Sequence, residues 1–244
     1  MKPIAIRPHH VFKSLVTEKL SDRICKAIIP HPANFSGGVL TLESMLILTL
    51  MKRSNPANIF EFGTYMGATT AALAVNARDG ARIYTLDLPQ SEDAAGLSAA
   101  DQNTLFTTGR TAEETPDGFL IKRSTRVGPV ILDGMDEAER AKVTKLYGDS
   151  TKFDYGAYAG TMDFIWIDGG HDYEIVESDT KNALAMLSQT NKMATIAWHD
   201  YENPECPGVT RYLNELSERL TIFSIGSTLT CFCCPHLEHG GIEL

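Results

Sequence analysis

The sequence predicts an α/β protein with a doubly wound, mostly parallel seven-stranded sheet that ends in an antiparallel hairpin. Short apolar runs alternate with helical segments along most of the chain, which is typical of this fold class. The runs are mostly apolar, as expected for parallel strands that are buried on both faces. With 244 residues, of which 43% are hydrophobic, the chain can form a normal core without disulfide bonds.

We expect an N-terminal cap segment at residues 1–40 and one domain at residues 41–244. The cap segment contains one helical piece near Val11–Ile28. In the first half of the domain a segment rich in Leu and Met indicates a helix, and two apolar runs indicate strands. The predicted elements are a helix at Thr41–Lys52, a strand at Asn58–Phe62, a helix at about Ala68–Ala77 and a strand at Ala81–Leu86.

An insertion is predicted at about residues 90–145, where the sequence is polar and less regular. Helical fragments near Ser98–Thr108 and Asp136–Leu146 flank a strand-like piece around Pro129–Leu132. We interpret this region as helices that cover the sheet.

Regular alternation resumes after the insertion. The predicted elements are a strand at Phe164–Ile167, a helix at Glu174–Leu187, a strand at Ala194–Trp198 and a helix at Thr210–Leu220. The tail then reads as two strands around a two-residue turn, Gly226-Ser227, which predicts the hairpin. Trp166 and Trp198 are expected to be core residues within their strands.

Charge and composition narrow the classes of partner. A formal net charge of −9 argues against a nucleic-acid partner. The first residues lack the apolar core of a signal peptide, and no apolar stretch is long enough to span a bilayer. We therefore expect a cytoplasmic protein without membrane contact; whether it forms a homo-oligomer stays open.

The five cysteines, with Cys231, Cys233 and Cys234 clustered near the end, suggest reduced thiols in a terminal strand.

A glycine-containing loop between the first strand of the domain and the next helix suggests a ligand site. Gly63 and Gly67 allow a tight turn and close approach of the backbone to a ligand. Asp87 follows the next strand, where a carboxylate can accept hydrogen bonds from ribose hydroxyls. Many α/β turns contain two glycines, so an ordinary turn is the alternative for the loop alone.

With Glu61 before it and Asp87 after it, this loop resembles the first motif of class I S-adenosylmethionine-dependent methyltransferases. That resemblance implies S-adenosylmethionine as cofactor and an adenine-facing turn later in the chain. It also implies the cofactor-binding residues: Glu61, Gly63, Thr64 and Gly67 for the methionine portion, Asp87 for the ribose, and Asp149 and Ser150 in the adenine-facing turn.

Two further strands end abruptly in side chains that bind metals or transfer protons. Asp168 follows one apolar run, with His171 three residues later, and His199 and Asp200 follow the next run. Ligands bind at the carboxyl ends of the strands in such sheets, so we expect a single site. Two carboxylates suit Mg²⁺, and an imidazole ligand makes Mn²⁺, Fe²⁺ or Zn²⁺ more plausible.

Alternatives stay open at several of these positions. His199 could face away and only pack, and His171 could cap its loop instead of acting as a base. Asp172 is expected to be a helix N-cap. Asp179, in the following helix, is expected to be a solvated carboxylate rather than a partner of His171.

Together the motifs resemble methyltransferase family 24, whose small-molecule O-methyltransferases are similar in layout to catechol O-methyltransferase. The resemblance covers roughly Ile59–Asp87 and Tyr147–Tyr201. It implies metal-assisted methylation of a small hydroxylated acceptor, such as a sugar or a natural-product intermediate. The implied roles are a divalent metal, Mg²⁺ or else Mn²⁺ or Fe²⁺, at Asp168, His199 and Asp200, and a catalytic base at His171.

Three other functions are compatible with such a sheet. One is a metal-dependent oxidoreductase or hydroxylase, and another is a protein that binds the cofactor without catalysis. An NAD-type oxidoreductase is disfavoured, because the loop lacks the third glycine of the dinucleotide fingerprint.

Overall fold

An eight-stranded sheet forms the centre of the fold in the computed structural model, which describes residues 1–13, 28, 38–91 and 115–237. The strands are β1 Ile4–Ile6, β2 Asn58–Phe62, β3 Arg82–Asp87, β4 Val143–Tyr147, β5 Phe164–Ile167, β6 Thr195–Trp198, β7 Phe223–Ile225 and β8 Cys231–Cys233. Their order across the sheet is β1-β7-β8-β6-β5-β2-β3-β4. Only β8 is antiparallel to its neighbours, β6 and β7. The prediction of a mostly parallel α/β sheet with a terminal hairpin is confirmed.

The helices cover the two faces of this sheet. They are α1 Pro8–Lys13, α2 Thr41–Ser54, α3 Ala68–Asn76, α4 Pro116–Val127, α5 Val130–Asp133, α6 Glu137–Arg140, α7 Tyr173–Met186 and α8 Pro207–Leu216, with a 3₁₀ turn at Gly156–Tyr158. One core cluster joins the sheet to α2 and α3, and a second joins it to α7 and α8. Trp166 lies in the first and Trp198 in the second, both fully buried as predicted.

The sheet has one strand more than the seven predicted. Ile4–Ile6 pairs in parallel with Phe223–Ile225 and extends the sheet beyond the hairpin. A strand of three residues is too short to show a periodic pattern, and its pairing depends on a segment more than two hundred residues away.

Two predictions within residues 115–147 are wrong. Pro129–Leu132 does not form a strand, since Pro129 precedes the short helix α5 at Val130–Asp133. The predicted helix at Asp136–Leu146 ends early, because α6 covers only Glu137–Arg140 and the chain then enters β4. β4 is an edge strand that pairs only with β3 and leaves much of its surface exposed, so it lacks a clear apolar run. The fragment near Ser98–Thr108 and most of Val11–Ile28 lie outside the described residues.

The hairpin turn is also longer than predicted. β7 and β8 are joined by Gly226–Thr230 rather than by two residues. Ser227 adopts a left-handed conformation with φ of 66°, and the Thr228 hydroxyl donates to the Ile225 carbonyl oxygen at 2.7 Å. These local hydrogen bonds stabilise the wider turn. Within the described chain, all cysteines are free and buried, and no helix has the length and apolarity to cross a membrane.

The strand order reverses between β2 and β5. The chain proceeds from β2 to β3 and β4 on one side, and from β5 to β6 on the other. The two connections therefore leave in opposite directions and open a crevice at the carboxyl ends of β2 and β5. The loops that follow β2, β4, β5 and β6 carry most of the residues that the sequence singled out.

Candidate active site

A cavity of about 500 Å³ lies in this crevice, within the range of small-molecule sites. It extends from the loop after β3 to the loop after β6, so both predicted halves of the site open into one space. The predicted site residues that line it are Gly63, Thr64, Asp87, Asp149, Ser150, Asp168, His171, His199 and Asp200. Glu61 and Gly67 lie behind the lining.

Gly63 brings the loops after β2 and β5 into contact. Its φ is +87°, and a Cβ at this position would lie 2.1 Å from the carbonyl oxygen of Asp168. No other residue fits so close an approach. Gly67 is also left-handed, but a Cβ there would meet the side chain of Leu132 at 2.7 Å. Gly67 thus allows α3 to pack against α5 and does not face the cavity.

Glu61 supports the loop from beneath. It is fully buried, and its Oε2 accepts hydrogen bonds from the hydroxyls of Thr70 and Thr85, the latter at 2.6 Å. The Thr85 hydroxyl is also 2.6 Å from that of Thr64, which lines the cavity. Burial raises the pKa of Glu61 to about 8, so its carboxyl group is mostly protonated at neutral pH. Among the described residues, none bonds its Oε1.

Asp87 presents a carboxylate at the end of β3. Its Oδ2 accepts from the Tyr65 backbone N–H and the Ser124 hydroxyl, both at 2.7 Å, and its Oδ1 accepts from the Leu88 N–H at 2.7 Å. Burial raises the pKa of Asp87. The residue lines the cavity, so its carboxylate can meet a ligand hydroxyl there.

The turn after β4 lines the same end of the cavity. Asp149 accepts hydrogen bonds from the Thr151 hydroxyl at 2.6 Å and from Lys152 Nζ at 2.7 Å, and these lower its pKa to about 2. The carbonyl oxygen of Ser150 accepts from the Tyr155 hydroxyl at 2.8 Å. The Asp149 carboxylate therefore holds the turn together, and the turn as a whole forms the wall.

Asp168, His199 and Asp200 meet at the ends of β5 and β6. One ligand atom from each lies within 4.8 Å of the other two, and His199 Nδ1 is 3.2 Å from both Asp168 Oδ1 and Asp200 Oδ2. Asp200 has a left-handed φ of 59°, and the amide of Asn203 donates to its Oδ1 at 2.5 Å. Aspartate tolerates this conformation better than most residues. The donors fit a divalent cation, since they are two carboxylates and one imidazole facing the cavity.

Glu43 stands behind His199. Its Oε2 is 3.3 Å from His199 Nε2, while its Oε1 accepts from the Leu229 N–H at 2.7 Å. A carboxylate on the outer nitrogen of a histidine is the usual way of orienting an imidazole ligand. Burial lowers the pKa of His199, but Asp168, Asp200 and Glu43 outweigh this and raise it well above its ordinary value. The carboxylates of Asp168 and Asp200 would equally favour a divalent cation beside His199 Nδ1.

His171 adjoins this cluster and is held by Asp117 at the start of α4. Its Nδ1 contacts Asp117 Oδ1, its backbone N–H donates to Asp117 Oδ2 at 3.1 Å, and its Nε2 is 3.0 Å from Asp200 Oδ2. Burial lowers the pKa of His171, but Asp117 and Asp200 outweigh this and raise it to about 10. The acid–imidazole pair fixes the ring with Nε2 toward Asp200, which lines the cavity.

The expectation that Asp179 is solvated is wrong. The residue lies on the inner face of α7, fully buried, with Oδ2 3.4 Å from the position a Cβ on Gly169 would take. Burial raises its pKa to about 7. His171 is oriented by Asp117 instead. Asp172 occupies the N-cap position of α7 as predicted, without a side-chain capping bond.

Sequence reasoning missed Glu43, Asp117 and Cys206, all of which line the cavity. Glu43 lies three residues after Leu40, whose N–H donates to its Oε2 at 3.0 Å, so a capping pattern was its only local signal. Asp117 follows Thr115-Pro116, a helix-start pattern that says nothing about His171. Cys206 is the residue before α8, and no local pattern relates it to His171 or Asp200.

Comparison with known proteins agrees with this geometry. Residues 60–201, more than half of the chain, match methyltransferase family 24, a methyltransferase domain. No curated protein matches the chain.

Solved structures share the fold at low sequence identity. Cofactor-bound Rv0187 from MTB has a TM-score of 0.54 and 14% identity, over 84% of this chain and 85% of that one. A candidate O-methyltransferase from Klebsiella pneumoniae has a TM-score of 0.50 and 18% identity, covering 92% and 93%. The Podospora anserina methyltransferase PaMTH1, bound to S-adenosylhomocysteine, has a TM-score of 0.50 and 14% identity, covering 92% and 85%.

The matched region contains the glycine loop after β2, the acid at the end of β3 and the clustered groups at the ends of β5 and β6. The chain therefore belongs to methyltransferase family 24 and is a class I S-adenosylmethionine-dependent methyltransferase.

Proposed function

We propose that the protein transfers a methyl group from S-adenosylmethionine to a hydroxyl oxygen of a small molecule, with assistance from a divalent cation. The observation that carries this proposal is the shared cavity. Asp87 and Gly63 border one end, and the cluster of Asp168, His199 and Asp200 borders the other. A cofactor bound at the first end can direct its methyl group toward an acceptor held at the second.

The cofactor end offers what a sulfonium nucleoside requires. The Asp87 carboxylate at the cavity wall suits a ribose hydroxyl, and the turn at Asp149 and Ser150 suits the adenine. Gly63 allows the methionine portion to lie against the backbone. The buried Glu61 keeps the loop in place through Thr85 and Thr64.

The reacting end offers a cation site beside a base. Asp168, His199 and Asp200 would hold the cation, and Glu43 would orient His199. A cation bound there lowers the pKa of an acceptor hydroxyl and orients it.

His171 Nε2 would accept the hydroxyl proton, while Asp117 stabilises the imidazolium that forms. Asp200 contributes to the raised pKa of His171. A cation that binds Asp200 would weaken this contribution and so lower the pKa of His171. In the transfer, the acceptor oxygen forms a bond to the methyl carbon and the carbon–sulfur bond breaks. The electron pair stays on sulfur, which yields S-adenosylhomocysteine.

The lining near the cation site favours an uncharged acceptor. Leu40, Phe119, Leu120 and Leu229 supply apolar surface next to the acidic groups, and no lysine or arginine lines the part of the cavity that the structure describes. A phosphorylated acceptor calls for a lysine or arginine side chain in its site, whereas a neutral molecule with vicinal hydroxyls does not. A sugar or a natural-product intermediate meets this description.

An acceptor screen with S-adenosylmethionine labelled in its methyl group tests the proposal. We expect label transfer to at least one neutral vicinal diol or catechol, loss of transfer in chelator and recovery with Mg²⁺ or Mn²⁺. Transfer that is indifferent to chelator would contradict the cation's role, and transfer to nitrogen or carbon alone would contradict O-methylation.

A further inference from the structure

Beside the cation cluster, a different set of donors surrounds the same corner of the cavity. His171, Asp200 and Cys206 each place one ligand atom within 4.8 Å of the other two. Cys206, at the start of α8, lines the cavity while only 4% exposed. No described residue forms a hydrogen bond with its thiol. This sulfur is therefore buried, unpartnered and adjacent to an imidazole and a carboxylate.

We propose that His171, Asp200 and Cys206 form a second metal site, selective for Zn²⁺ or a similarly soft dication, whose occupation inactivates the enzyme. The donors are nitrogen, oxygen and sulfur, the set that zinc takes in proteins, and three protein ligands leave a fourth position open to the cavity. The neighbouring set, Asp168, His199 and Asp200, contains no sulfur and suits harder cations. Asp200 belongs to both sets.

The surroundings already orient the donors. Asp117 contacts Nδ1 of His171, which leaves Nε2 directed toward Asp200 at 3.0 Å. A carboxylate behind a histidine ligand is the arrangement that strengthens zinc sites. Asn203 links the two other ligand residues, Asp200 and Cys206. Its side-chain amide donates a hydrogen bond to Asp200 Oδ1, and its backbone carbonyl oxygen accepts one from the Cys206 N–H at 3.0 Å.

Occupation of this site removes the base. A metal on His171 Nε2 uses the lone pair that would otherwise accept the acceptor's proton, and binding releases the thiol proton of Cys206 and the Nε2 proton of His171 to solvent. This consequence rests on the proposed function, whereas the metal site itself does not.

Cobalt spectroscopy tests the site without any acceptor. Co²⁺ is added to chelator-treated protein, and we expect a near-ultraviolet thiolate-to-cobalt charge-transfer band that one equivalent of Zn²⁺ abolishes. The band should disappear in Cys206→Ser and persist in Asp168→Asn, which alters only the neighbouring set. Circular dichroism establishes that both variants are folded. Absence of the band in the wild type, or its persistence in Cys206→Ser, would overturn the proposal.

Inhibition tests the consequence separately. With Mg²⁺ present in excess, Zn²⁺ should inhibit methyl transfer by the wild type, and Cys206→Ser should require at least about tenfold more Zn²⁺, each protein being normalised to its own uninhibited rate. Equal sensitivity of the two proteins would refute inhibition through this site. If the band forms but no methyl transfer is found, the proposed function fails and the metal site stands.

Discussion

Asp117 contacts the Nδ1 atom of His171, although 54 residues separate the two in the chain. The contact joins the first turn of α4 to the loop after β5, so a helix that covers the cavity also orients the candidate base. His171 therefore belongs to a unit of acid, imidazole and the adjoining Asp200, rather than acting alone.

Asp117→Asn should lower both the pKa of His171 and the rate of methyl transfer. The wild-type pKa of about 10 depends on Asp117 and Asp200, so removing one negative charge shifts the titration toward neutral pH. We expect a loss in kcat of about tenfold or more, since general bases contribute roughly 10²- to 10⁴-fold. Histidine-ring NMR against pH measures the pKa. Asp133→Asn, a change at an exposed acid, is the control. An unchanged titration of His171 would show that Asp117 does not govern its protonation.

Asp168→Asn should weaken metal binding and spare the cofactor. The substitution removes one of two carboxylate donors, and we expect Mn²⁺ affinity to fall by at least about tenfold, as even outer-shell changes cost 10- to 100-fold. Affinity for S-adenosylmethionine should change little. Electron paramagnetic resonance of free Mn²⁺ gives the first quantity and calorimetry the second, with the exposed Asp154→Asn as control. Wild-type Mn²⁺ affinity would remove Asp168 from the site.

Asp87→Ala should weaken cofactor binding and spare metal binding. Hydrogen bonds to a charged group contribute about 1.5–3 kcal/mol, so the loss of a ribose contact predicts about 10- to 100-fold weaker binding of S-adenosylmethionine. Mn²⁺ affinity should stay at the wild-type value, because Asp87 makes no contact with the cluster at β5 and β6. Calorimetry on both ligands checks this, and unaltered cofactor affinity would exclude the ribose role.

Glu61→Gln should stabilise the protein increasingly as pH rises from about 5 to 8. Burial raises the folded-state pKa of Glu61 to about 8, whereas the unfolded value is 4.5. Between these values the unfolded state releases the proton and the folded state keeps it, so wild-type stability falls with pH. Glutamine resembles the protonated acid and does not titrate. The difference in Tm between variant and wild type, measured by calorimetry, should therefore grow across this window; a constant difference would mean that Glu61 is ionised in the fold.

The parts of the site that follow strands were predictable from sequence. Asp168 and His199 end adjacent parallel strands, and the pairing of β5 with β6 brings them together wherever such a sheet forms. In the same way, the parallel pairing of β2 with β3 brings Gly63 and Asp87 to one edge of the sheet.

The remaining site residues depend on how the covering helices pack, which local patterns do not encode. Glu43 reaches His199 across 156 residues, and Asp117 lies in a region without regular alternation. Asp179 was expected to be solvated because a lone acid in a helix usually is, but it lies on the face of α7 that packs against the sheet with Val176 and Ala183. The strand β4 was missed because an edge strand exposes too many side chains to form an apolar run.

The proposed function depends most directly on binding of S-adenosylmethionine at the cavity that Asp87 borders. Calorimetric titration of the cofactor into chelator-treated protein, alone and with Mn²⁺, measures it, with Asp87→Ala alongside. We predict saturable binding at one site per chain in the wild type, and clearly weaker binding in the variant. Absence of binding to demonstrably folded wild-type protein, with and without Mn²⁺, would contradict the account.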